Sequence, residues 1–256
     1  MMELRERALE ALRHDSWQAK AACLKTLSQS TPLDNARIFL SSADIPGRPA
    51  IKLVPPAQLG LRSVHTLEGR AILIHALAHI EFNAINLALD VIWRFANMPD
   101  KFYYDWLQVA QEECEHFGLL NQHLQTLGHQ YGDFSGHDGL WEMAERTQDD
   151  VLARLALVPR TLEARGLDAS PAVRHKLASG GDPAGAAIID IILRDEIGHV
   201  AIGNYWYRWL CTERGLDPID TYAELAATYR APKLKGPFNI EARLAAGFDA
   251  AEIALL

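Results

Sequence analysis

The run AAIIDIILRDEIGHVAIGNYWYRWL, residues 186–210, reads as mostly apolar, yet it sets a carboxylate and an imidazole three residues apart at Glu196 and His199. Its length predicts a helix, over about 183–214. Side chains three apart on a helix share a face. Their neighbours on that face, Ile192, Val200 and Gly203, are apolar or small. A lone ionised carboxylate there would cost several kcal/mol. It must be paired, protonated or bound to a metal.

The same arrangement recurs upstream. A helix expected over about 100–127 carries Glu113 and His116 on one stripe with Trp106, Ala110 and Leu120. Glu115 falls instead on a polar stripe with Gln108, Gln111 and Gln122 and reads as solvated. A preceding helix, about 66–95, places Glu81 among Ile74, Leu77, Ala78, Ala84, Ile85 and Ala88. From Glu81 to Glu113 is 32 residues, and from Glu163 to Glu196 is 33. This repeat selects Glu163 over Glu142 and Glu145. Two single glutamates and two Glu-x-x-His pairs on inward-facing helices are the ligand set of a dinuclear metal site. Carboxylates with imidazoles suit iron or manganese. The expected ligands are Glu81, Glu113, His116, Glu163, Glu196 and His199. His79, Asp195 and Asp190 are the candidates for orienting ligating histidines. His75 and His79 lie on another face from Glu81, because two residues turn a helix by about 200°. No catalytic residue beyond the ligands is assigned.

Outward from these helices, the pattern is all-α, with four long helices at its centre. An additional N-terminal helix is expected over about 3–29. A stretch with prolines at 32, 46, 49, 55 and 56 reads as an extended arm. Residues 139–165 read as helical with a break at Pro159. GLDASP, 166–171, reads as a stop, followed by a short helix near 170–178 and another in the C-terminal tail. The expected organisation is an N-terminal helix and arm over 1–60 and one compact helical domain over 61–256. Cys23, Cys114 and Cys211 are scattered, which predicts neither a disulfide framework nor a zinc site. The net charge of −8 argues against duplex nucleic acid. No 18-residue apolar run occurs, and no signal-like segment opens the chain, so a cytoplasmic protein is expected.

The order and spacing of the ligand set resemble the ferritin-like superfamily of di-iron carboxylate proteins. HALAHIEFNAINLALD (75–90), DEIGHVAIGNYWY (195–207) and GPFNIEARLAAGF (236–248) resemble, more closely, a bacterial ferritin-like family numbered 455 among domains of unknown function. The resemblance runs from about residue 45 to the end. It implies a ferritin-like four-helix bundle with a short C-terminal helix. It also implies two iron ions, or manganese or a mixed pair, at the six ligands named above. The expected function is an oxidoreductase activating dioxygen or peroxide. The alternatives are an RNA-modifying enzyme like a tRNA hydroxylase, and a non-catalytic metal-binding or storage protein. A small-molecule substrate and an electron donor are expected, without identity. No membrane partner is expected; an RNA partner and a homodimer stay open.

Overall fold

The computed structural model describes residues 2–39, 44–59 and 63–256. The protein is all-α. No strand forms among the described residues, only an isolated bridge between Leu53 and Gly136. The chain divides into two compact units, Met1–Asp138 and Gly139–Leu256.

The first unit contains α1 (Leu4–Arg13), α2 (Trp17–Leu24), α3 (Leu67–Arg94) and α4 (Asp100–Thr126). The expected single helix over 3–29 is two. Ser16 caps α2 by accepting the Ala19 N–H, and a serine cap favours a fresh start over continuation. Lys20, fully buried, then donates to the last carbonyls of α1, Ala11 at 3.2 Å and Leu12 at 3.0 Å. Burial lowers this amine to about 7. Thr66 starts α3 by accepting the Gly69 N–H. At its far end the buried Arg5 guanidinium donates to the Ile92 and Trp93 carbonyls, filling acceptors that a helix end leaves open. Gly128, at φ 81°, follows the end of α4 in the left-handed conformation that glycine adopts without strain.

α3 and α4 pack along each other, with α1 against α3 and α2 against α4. The N-terminal helices therefore belong to the same unit as α3 and α4. The division of the chain falls at 138/139 rather than at 60/61. The described part of the arm forms no α-helix; it carries a 3-10 turn, Pro56–Gln58, among shorter turns and bends. It is fastened by Val54 N–H to the Gly136 carbonyl and Gly136 N–H to the Lys52 carbonyl. Residues 40–43 and 60 of the expected arm lie outside the described residues. By length and composition α3 could cross a bilayer, but 72% of its most apolar window is buried inside the protein, as in a core helix.

The second unit contains α5 (Gly139–Arg146), α6 (Val151–Leu157), a π-helical segment (Val158–Glu163), α7 (Ala164–Ser179) and α8 (Pro183–Glu213). It ends with α9 (Pro218–Thr228), α10 (Ile240–Ala245) and α11 (Ala250–Ile253). The expectation for 166–171 is corrected: α7 runs through Gly166 and Pro171 to Ser179. Pro171 has no N–H for the Leu167 carbonyl, and that carbonyl instead accepts from Asn239 Nδ2 at 3.2 Å. Asp168 holds Arg243 through two hydrogen bonds, 2.9 and 2.6 Å. Ala164 and Leu167 enter an apolar cluster with Val200, Ala242, Ala246 and Phe248. Burial and replacement hydrogen bonds thus override a proline cost of about 3 kcal/mol.

Candidate metal centre

α3 places Glu81 in the core because Ile74, Ala78, Ile85 and Ala88 on its stripe are all buried. α4 does the same for Glu113 and His116, at 0% and 1% exposure. One carboxylate oxygen each from Glu81 and Glu113 and one His116 nitrogen lie within 4.8 Å of one another. His116 Nδ1 is 3.4 Å from Glu113 Oε2 and 3.8 Å from Glu81 Oε2. Glu81 Oε2 is buried and has no hydrogen-bond partner among the described residues.

Two carboxylates this close and this dry cannot both ionise unaided. Burial, reinforced by the charge of Glu113, pushes the Glu81 carboxyl up to about 8. For His116, burial favours the neutral ring, but the Glu113 and Glu81 carboxylates beside it outweigh burial and hold the imidazole up to about 11. In this form protons balance the charge. A divalent cation would take their place, and a donor set of two carboxylates and one imidazole fits a hard or borderline ion.

In the second unit, α8 carries Glu196 and His199, both buried, with His199 Nδ1 3.5 Å from Glu196 Oε1. Glu163 stands half-buried at the end of the π-helical segment. The three residues thought to orient ligands have other partners. His79 uses Nδ1 with the Tyr131 hydroxyl at 2.7 Å and Nε2 with the His137 carbonyl at 3.0 Å. Asp190 is bonded to Arg174 at the surface, and Asp195 pairs with its neighbour Arg194. Glu115 is exposed, on the polar side expected of it.

The chain matches, over residues 7–254, a family described as a protein of unknown function, DUF455. The chain belongs to the DUF455 family. A curated relative from Haemophilus influenzae, described as an uncharacterized protein, is 50% identical over 237 residues, covering 90% of this chain and 80% of its own length. No solved structure matches the chain. The match includes every candidate ligand, and also Lys20 and Arg160, buried cations that the stripes of this DUF455 chain did not reveal. Arg160 is the chief of these. It stands three residues before Glu163 in LALVPRTLE, 155–163, where nothing in the spacing marks it as buried.

Proposed function

We propose that the chain is a metal-carboxylate oxidoreductase of ferritin-like type, holding two iron ions, or manganese or one of each, and activating dioxygen or peroxide for an unidentified substrate. The ligands we assign are those of the sequence pattern: Glu81, Glu113, His116, Glu163, Glu196 and His199. The observation that carries the reading is the buried Glu81 oxygen with no hydrogen-bond partner among the described residues, set beside a second carboxylate and an imidazole. Left alone, such a group costs stability, because a buried carboxyl oxygen without a hydrogen-bond partner keeps its desolvation penalty.

Bound there, a redox-active cation pair supplies the electrons that dioxygen or peroxide takes up. The chain supplies everything else. The apolar stripes of α3 and α4 keep bulk water from the carboxylates. Glu81 and His116 release their protons as the cations enter. His116 Nδ1, facing two carboxylate oxygens, is held in one orientation.

The test is elemental analysis of anaerobically purified protein, followed by oxygen uptake after ferrous loading. Two metal ions per chain, with oxygen consumed and no bulk iron loaded, supports the enzyme reading. Loading of many irons per chain would favour storage. Metal-free protein that takes up none would reduce the site to a buried ion-pair cluster and end the proposal.

A further inference from the structure

We propose that Arg160 is a positioning residue for Glu163, acting by locking the π-helical turn that carries it; this rests on the ligand assignment above. A π turn contains an extra residue, so the chain after it is rotated by about 100° relative to an α-helix continued without it. The direction of Glu163, the last residue of the turn, depends on the turn being kept. Such turns are rare and cluster at functional sites. The second unit holds this one by three separate devices.

Pro159 sits directly on α8: a Cβ at Gly203 would come 2.6 Å from the Pro159 Cβ, so only glycine allows the approach. Thr161 Oγ1 donates to the Ala156 carbonyl, five residues back, at 2.7 Å and lies 3.0 Å from the Tyr222 hydroxyl. Arg160, 4% exposed, makes the strongest tie. Its Nη1 donates to Asn204 Oδ1 at 2.8 Å and its Nη2 to Glu252 Oε1. Its guanidinium lies over the rings of Tyr207, Phe248 and Tyr222 at 4.9, 4.8 and 5.3 Å. Glu252, on α11, also accepts from Arg208, and Asn204 Nδ2 donates to the Ala246 carbonyl at 2.7 Å. The C-terminal tail thereby delivers a carboxylate to the turn. Asn204 lies five residues after His199 on α8, so the same contact ties the turn of Glu163 to the helix of Glu196 and His199.

An apolar filling of similar volume would stabilise the unit as well as a buried ion pair or better. What the pair adds is direction: a planar guanidinium with two fixed acceptors holds one geometry.

The test uses the full chain and cobalt(II) as probe. Wild-type protein should bind two cobalt ions with one reproducible visible spectrum. Arg160→Leu and Glu252→Gln should weaken one of the two by about tenfold or more and change the spectrum, with helicity retained. Arg160→Lys should recover part of the loss. Gly203→Ala, which displaces Pro159 without touching any charge, should change the spectrum in the same direction. These last two keep the question answerable if Arg160→Leu fails to fold. Unaltered cobalt affinity and spectrum in folded Arg160→Lys and Gly203→Ala, with only a lower melting temperature, would overturn the positioning role. Wild-type protein that binds no cobalt would overturn the ligand assignment instead.

Discussion

The protonation of Glu81 and His116 shows what a buried carboxylate pair demands when nothing else neutralises it. Neither group keeps its ordinary value, and each shift has a named cause in burial and in the carboxylates alongside. Replacing Glu81 with alanine removes the oxygen that has no hydrogen-bond partner among the described residues, and with it the carboxyl group crowding Glu113. Glu81→Ala should therefore lower bound metal by half or more while far-ultraviolet circular dichroism stays near wild type. Glu115→Ala, on the exposed side of α4, should leave metal content unchanged; a large loss there would mean that the facing of α4 is misassigned. Glu81 was legible in the sequence because a carboxylate on a fully apolar stripe is an anomaly that needs no alignment to see. Arg5, Lys20 and Arg160 were not legible. Their buried partners are backbone carbonyls or distant side chains, and such pairings leave no periodic trace.

At the scale of elements, the long helices could be read because each is bounded by a chemical signal. Thr66 opens α3, Asp182 accepts the Gly185 N–H at the start of α8, and Gly128 closes α4. The region from 139 to 179 could not be read in the same way. Proline and glycine there predict ends, whereas the chain continues as α6, a π turn and α7 because tertiary partners accept the displaced hydrogen bonds. Asn239 is the clearest of these partners. It serves the Leu167 carbonyl that Pro171 leaves open, and its Oδ1 also accepts the Ala242 N–H at the start of α10. Asn239→Ala should cost about 1–3 kcal/mol, as a lost cap and an unsatisfied carbonyl would. In a Pro171→Ala background, where residue 171 regains its N–H, the same substitution should cost less. A urea-denaturation double-mutant cycle measures the difference. Equal costs in both backgrounds would show that Asn239 does not compensate for the proline.

For the whole molecule, metal and proton compete for the same stabilising role, which gives folding stability a sign that can be checked. The folded value of Glu81, about 8, lies above its ordinary 4.5, so the stability tied to its proton is complete below 4.5 and is lost as pH rises through 8. His116 at about 11 lies above 6.5, so its contribution is complete below 6.5 and is lost as pH rises through 11. Both terms weaken the metal-free protein with rising pH. Lys20 acts in the opposite sense, since its folded value of about 7 is below 10.5, but loaded and metal-free protein share it, and it cancels in their difference. Cations that displace the protons of Glu81 and His116 remove the loss. The stability gap between manganese-loaded and chelator-treated protein should therefore widen from pH 6.5 to pH 8, where the metal-free fold holds protons on both groups that the loaded and unfolded forms do not. Urea midpoints at the two pH values, with manganese saturating, measure it. A gap that stays constant or narrows would show that Glu81 and His116 do not give up their protons to metal, and Glu81→Ala should reduce the dependence of the gap on pH to the part that His116 carries.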